Sequence, residues 1–180
     1  MLPKKTMNWK ELLTQKTEHA YRGLTHLVGL CSDNELSWKP DEENNWMTTA
    51  QLLYHAAHSG GKPMKGFASG SWGSHEHVDS DKEKSKKMMP PAMAMPFVSS
   101  IAEALRLIEA DKKLAIETIA GVSEEDLAAK PAPAPWDPKP VILGMRLLEM
   151  LEHLNQHKVQ LFYYLKLQKK PVGTFDLYGV

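Results

Sequence analysis

Two histidines lie four residues apart near the C-terminal end of the sequence, in the segment EMLEHLNQHKVQLFYYL: His153 and His157. The apolar residues of this segment recur with helical spacing. An α-helix turns about 100° per residue, so two side chains four residues apart project from one face, about 40° from each other. Such a pair can donate two imidazole nitrogens to one metal ion. Histidines with this spacing also occur on solvated helix faces, so the pair alone leaves both interpretations open.

A third histidine comes from a second predicted helix, in the segment TTAQLLYHAAHSGG. His55 follows Leu52 by three residues and therefore lies beside the apolar face of that helix. A single histidine at such a place is more often a hydrogen-bonded core residue than a ligand. Together with His153 and His157, however, it would form a three-nitrogen site in a helical bundle, and three protein ligands with an open position are typical of catalytic metal sites. His58, next to a Gly-Gly stop, is the alternative to His55.

The composition excludes several classes of protein. Among 180 residues, 22 are Lys or Arg and 22 are Asp or Glu, so there is no excess of positive charge for a nucleic-acid backbone. The single cysteine, Cys31, cannot form an internal disulfide and fits a reducing compartment. No apolar run approaches the roughly 20 residues that span a bilayer, and no signal peptide is recognisable. We therefore expect a cytoplasmic protein with neither a nucleic-acid nor a membrane partner.

The spacing of apolar residues predicts an all-α protein with four main helices. The first runs from about Asn8 to Leu30, and the second starts at a capping box of Thr48 and Gln51 and stops at Gly60-Gly61. A second capping box, Ser100 with Glu103, starts the third helix, which ends at Gly121. A short helix at 123–130 and an extended Pro-rich connector at 131–140 follow. The last helix begins at Pro140 and runs to about Gln168.

The long segment 62–98 separates the second and third predicted helices. It is rich in Gly, Ser, charge and Met, and we predict a loop. Because short loops join antiparallel neighbours, a connection of this length instead allows the two helices to run parallel. The expectation is a single domain, 1–180, folded as a four-helix bundle with one long crossover between its second and third helices.

Two segments of the sequence resemble the signatures of the DinB-like (YfiT-type) superfamily. One is LSWKPDEENNWMTTAQLLYHAAH, with a Trp-x-Pro stretch, a tryptophan before a capped helix and one helical histidine. The other is HLNQHKVQLFYYLKLQKKPVGTFDLYG, with His-x-x-x-His, a nearby Gln, an aromatic run and a tail containing Pro, Gly and Tyr. The resemblance covers residues 8–61 and 99–180 and leaves 62–98 without a counterpart.

The resemblance implies a DinB-like four-helix bundle that binds a divalent metal, zinc or nickel, through His55, His153 and His157. It also implies a homodimer. Some members transfer groups to or from low-molecular-weight thiols, so it points to a small-molecule substrate and a metal-dependent thiol transferase. A hydrolase that uses metal-activated water is a second possibility, and a non-catalytic metal- or ligand-binding module is the alternative. No catalytic residue beyond the metal ligands is indicated.

Other residues are weaker candidates. Glu149, four residues before His153, could accept the second ring N–H of that histidine, although an exposed neighbour is as good an interpretation. His75 and His77 lie in the Gly- and Ser-rich part of 62–98, where a mobile flap is the simpler expectation than a metal contact. Cys31 has no basic residue near it in sequence to favour a thiolate, so we predict a small core residue.

Overall fold

The computed structural model describes residues 7–42, 45–72, 91–134 and 136–180. Within these ranges the α-helices are α1 (Trp9–Gly29), α2 (Thr49–Ala56), α3 (Gly61–Ser69), α4 (Ile101–Gly121), α5 (Glu124–Ala129), α6 (Leu143–Leu167) and α7 (Thr174–Tyr178). Short 3₁₀ helices occupy Asp33–Glu35 and Ala92–Ala94. The described residues contain isolated β-bridges but no strand, so the predicted all-α class is confirmed.

The helices begin where their capping residues predict. Thr48 and Gln51 form a reciprocal capping box, in which each side chain accepts the backbone N–H of the other residue. At the start of α4 the Ser100 side chain accepts from Glu103, but the Glu103 carboxylate reaches back to Ser99 instead of Ser100. These caps satisfy N–H groups that the first helical turn leaves without partners.

The second predicted helix is broken in two, and its second half lies in the segment predicted as a loop. The break is caused by Asp111, which is buried on α4 and accepts from the backbone N–H groups of Gly60, Gly61 and Lys62 and from the Tyr21 hydroxyl. A Cβ at Gly60 would collide with the Tyr21 hydroxyl, and one at Gly61 with the Asp111 backbone. The glycines therefore allow a new helix, α3, to start against α4, and the prediction of a loop at 62–69 was wrong.

Contacts between helices establish the direction of each one. Val98, just before α4, donates its N–H to the carbonyl of Ala50 at the start of α2 over 3.2 Å. Further along both segments, Gly61 packs against Asp111. Because the later residue of one segment contacts the later residue of the other, the α2–α3 segment and α4 run parallel, as predicted. The crossover between them starts after Ser69 and ends at α4.

The other two long helices run in the opposite direction. Gly144 of α6 packs against Trp9 and Gly23 of α1 packs against Lys158, so α1 and α6 are parallel to each other. Tyr164, near the end of α6, donates to the carbonyl of Met47, just before α2. The α2–α3 segment is therefore antiparallel to α6. The result is the predicted four-helix bundle with one long crossover, in which α2 and α3 together form one of the four elements.

The helices share an apolar core. Leu13, Leu24 and Leu27 of α1 are fully buried, and the other long elements contribute Leu52, Ile108, Leu147 and Leu154. Whether residues 1–180 form a single domain stays a prediction. His75 and His77 lie outside the described residues.

The Pro-rich connector is held by a buried arginine on α6. Arg146 is 4 % exposed, and its guanidinium donates to the carbonyls of Ala132 and Lys139 and to the carboxylates of Asp137 and Glu149. These contacts hold the extended chain against the helix, which begins at Leu143, three residues later than predicted.

Candidate metal centre

Three imidazoles meet between α2 and α6. His55, His153 and His157 each offer a ring nitrogen, and the three nitrogens lie within 4.8 Å of one another. The ring centroid of His55 is 5.4 Å from that of His153 and 4.4 Å from that of His157. The two histidines of α6 bring their Nε2 atoms to 2.8 Å. The sequence pattern thus identified the three residues that the fold brings together.

His58, the alternative to His55, does not join this group. Its Nδ1–H donates to the carbonyl of Tyr54 over 2.7 Å, and its ring packs on that tyrosine with the centroids 4.3 Å apart. The reason is that α2 ends at Ala56, so His58 lies beyond the helix and does not continue the face that carries His55.

Burial keeps all three imidazoles neutral at pH 7. Loss of solvent lowers the pKa of His55 and of His157 to about 4, and the neighbouring rings add to this effect. Burial also lowers the pKa of His153. A metal ion needs the lone pair of a neutral imidazole, so the burial that disfavours protonation leaves the nitrogens available to a cation.

One of the three rings has a hydrogen-bond partner on its far side. The Nδ1 atom of His157 is 3.2 Å from the Oε1 atom of Gln160. The amide of Gln160 in turn donates to the hydroxyl of Tyr164 over 3.3 Å. Metal-ligating histidines usually have such a partner on the nitrogen that faces away from the ion. The DinB-like resemblance includes a Gln near the histidine pair, but the sequence alone assigns no role to it.

The carboxylate suggested for His153 has another partner. Glu149 accepts from the Nη1 of Arg146 over 2.9 Å and makes no hydrogen bond to His153. Glu149 follows Arg146 by three positions, a spacing that allows an ion pair on one helix face. The suggestion that Glu149 orients His153 was therefore wrong.

Cys31 lies away from the imidazoles and is a poor nucleophile. Its thiol is partly buried and donates to the carbonyl of Leu27, one helical turn earlier. Burial raises the pKa of the thiol to about 11, outweighing the opposite effect of Lys170, which the fold brings near. The thiolate that reactivity requires is therefore almost absent at neutral pH.

The donor set fits a divalent transition metal. Within the part of the chain that the structure describes, the group holds three imidazoles and no carboxylate or thiol. Imidazole suits zinc, nickel, copper and iron, whereas magnesium and calcium prefer oxygen donors. Three ligands leave at least one coordination position open to another molecule. The cluster could therefore hold a metal ion accessible to a small ligand.

Comparison with known proteins agrees with this architecture. A family model described as the DinB superfamily matches residues 16–161. The fold is similar to the crystal structure of a conserved protein from Enterococcus faecalis, with a TM-score of 0.58 and 18 % sequence identity over 90 % of this chain and 98 % of that one. At this identity the likeness extends to the fold alone. No curated protein matches the sequence. Since the family match spans most of the chain, including all three histidines, the protein belongs to the DinB superfamily.

Proposed function

We propose that the protein is a divalent-metal-dependent enzyme that acts on a small molecule. The observation that carries this proposal is the cluster of His55, His153 and His157, which contains three neutral nitrogen donors and, among the described residues, no fourth protein ligand. A purely structural site is usually closed by four protein ligands, whereas a catalytic site keeps one position free. The bound ion is proposed to be zinc or nickel.

His55, His153 and His157 would hold and orient the ion. A divalent ion in this position would supply Lewis acidity, lowering the pKa of a thiol or water molecule that binds to it. Three uncharged imidazoles do not neutralise the ion, so the site would keep a positive charge and favour an anionic partner.

No helix that could span a membrane is found among the described residues.

The reaction that we propose is transfer to or from a low-molecular-weight thiol. The single cysteine of the sequence is a poor nucleophile, because burial raises the pKa of the Cys31 thiol to about 11. A free thiol with a pKa near 8.5 is only a few per cent ionised at pH 7, so an acidifying site would increase the supply of thiolate. Hydrolysis by activated water is the second reaction of this class.

The first experiment is elemental analysis of protein purified without a histidine tag. We expect about one zinc or nickel ion per chain in the wild type and none in the His157→Ala variant, with the helical circular dichroism of the two proteins alike. A panel of small thiols with an electrophile such as monochlorobimane then tests turnover. Metal in the wild type without turnover would favour the non-catalytic metal-binding module, and absence of metal would overturn the proposal.

A homodimer and a cytoplasmic location belong to the same proposal. The outer face of α6 exposes Val159, Tyr163 and Leu167, with Tyr163 at 58 % and Leu167 at 59 % exposure. Exposed apolar side chains that follow one helix face are a surface that a second copy could cover. Analytical ultracentrifugation of the wild type and of a Tyr163→Lys/Leu167→Lys variant tests this, and a monomeric wild type would contradict it.

A further inference from the structure

A line of hydrogen bonds connects the metal cluster to the chain just before α2. It passes from Nδ1 of His157 to Oε1 of Gln160 (3.2 Å), from Nε2 of Gln160 to the Tyr164 hydroxyl (3.3 Å), and from that hydroxyl to the carbonyl of Met47 (3.0 Å). We propose that Gln160 and Tyr164 are positioning residues that fix His157 as its Nδ1–H tautomer, with the Nε2 lone pair directed into the cluster.

The direction of every bond in this line follows from its far end. A backbone carbonyl can only accept, so the Tyr164 hydroxyl must spend its one hydrogen on Met47. The tyrosine oxygen then accepts, and its partner must be the NH₂ group of Gln160. The amide oxygen of Gln160 consequently faces His157 and accepts, which requires the hydrogen of the ring to be on Nδ1.

Burial of Tyr164 preserves these bond directions at neutral pH. Tyr164 is 2 % exposed, and burial raises the pKa of its hydroxyl, so the group remains a donor. The ring also packs edge-on against Trp38 at a centroid distance of 5.3 Å. The carbonyl of Trp38 accepts the N–H of Thr49, the first residue of α2. These contacts hold Tyr164 of α6 against the chain at the start of α2.

Gln160 and Tyr164 influence two of the three proposed metal ligands, His157 and His55. The neutral Nδ1–H tautomer leaves Nε2 of His157 unprotonated on the side of His153 and His55. The same tyrosine ties α6 to Met47, and α2 then carries His55 two turns later. This inference rests on the proposed metal site only for its functional meaning, because the tautomer exists in the metal-free protein as well.

The first test is the tautomer itself, measured without metal. Long-range ¹H–¹⁵N correlation spectra at pH 7.5 report which ring nitrogen carries the hydrogen, and His157 is assigned from a His157→Gln spectrum. We expect the Nδ1–H form in the wild type and in Gln160→Glu, whose carboxylate also accepts. In Gln160→Leu, and in Tyr164→Phe, where the amide is free to turn over, we expect a mixture of tautomers. Unchanged spectra in both would overturn the proposal.

The second test is metal affinity, measured by competition with a chromophoric zinc chelator. Loss of a hydrogen-bond partner of a metal-bound histidine typically weakens binding about 10- to 100-fold, and we expect this for Gln160→Leu. Gln160→Glu should bind at least as tightly as the wild type. Gln156 provides the matched control, because it is exposed on the same helix, and Gln156→Leu should leave the affinity unchanged.

The outcomes separate this proposal from the proposed function. If the wild type binds no zinc, the metal site fails while the tautomer measurement still decides the role of Gln160. If the wild type binds zinc and Gln160→Leu binds it equally well, the positioning role is wrong and the metal site stands. An equal loss in Gln156→Leu and Gln160→Leu would also overturn it, since that loss would come from the helix and not from the hydrogen bond.

Discussion

The metal-free protein should become less stable as the pH falls from about 6.5 to about 4, because its clustered imidazoles are buried in neutral form. The pKa of His55 and of His157 falls from 6.5 to about 4 on folding. Between these values the unfolded chain binds protons and the folded chain does not, so protonation favours unfolding. The stabilisation is therefore complete above the unfolded pKa and is lost as the pH decreases towards the folded pKa.

The size of this effect follows from the same pKa values. A tenfold change in an acidity constant corresponds to about 1.4 kcal/mol, so protonation of one such ring costs the folded state roughly 3 kcal/mol. The lowered pKa of His157 already contains repulsion by His55 and His153, and that of His55 contains repulsion by His153 and His58. Their effects are therefore not additive, and with screening of these partly exposed rings we expect a total loss of about 2–4 kcal/mol in the free energy of unfolding.

The assay is urea unfolding of metal-free protein at several pH values between 7.5 and 4. Other groups of the chain also change protonation between these pH values, so the assay needs a matched control. A His55→Gln/His157→Gln variant removes two of the three clustered rings, keeps the groups outside the cluster, and serves as the control. The wild type should lose about 2–4 kcal/mol more than this variant over the range. Parallel curves for the two proteins would refute the reasoning.

Three further predictions concern the site and the break between α2 and α3. Removal of the metal with EDTA should leave a folded bundle, as judged by circular dichroism, because the apolar core supplies most of the stability; global unfolding would indicate a structural metal. Asp111→Ala should lower the free energy of unfolding by about 3–5 kcal/mol in urea, since it leaves the buried N–H groups of 60–62 without their acceptor. In contrast, Asp126→Ala, at an exposed position in the first turn of α5, should cost under about 1 kcal/mol. Cys31→Ala should retain any thiol-transfer activity, and iodoacetamide should alkylate the wild-type thiol slowly at pH 7.5 because its pKa is about 11.

Local features of the sequence determined the helices and two of the three candidate ligands. The four-residue spacing places His153 and His157 on one face of any helix that contains them, whatever the rest of the chain does. The capping box of Thr48 and Gln51 marks the start of α2 because both its bonds lie within three residues. The prediction of an all-α four-helix bundle succeeded because it rested on such short-range periodicity and on the length of one connection.

The position of His55 in the cluster needed the tertiary structure. His55 and His58 are both partly buried histidines in one short segment, and their spacing of three residues would place both on one face of a continuous helix. The choice depends on which face of α2 meets α6, and that face is set by contacts distant in sequence, such as the bond from Tyr164 to Met47. The resemblance favoured His55, and the packing of the two helices explains why it is the one that meets His153 and His157.

The features that the sequence did not reveal all depend on residues far apart along the chain. Asp111 looked like one more charged residue of a predicted helix, yet it is buried and breaks another helix some fifty residues earlier. Glu149 was spaced to meet His153 but pairs with Arg146, whose buried guanidinium holds the distant connector. Periodicity reports the face on which a residue lies, whereas the identity of its partner depends on which helices pack together. The sequence by itself therefore determined the helices and the donor types, and only the tertiary structure decided how those donors are supported.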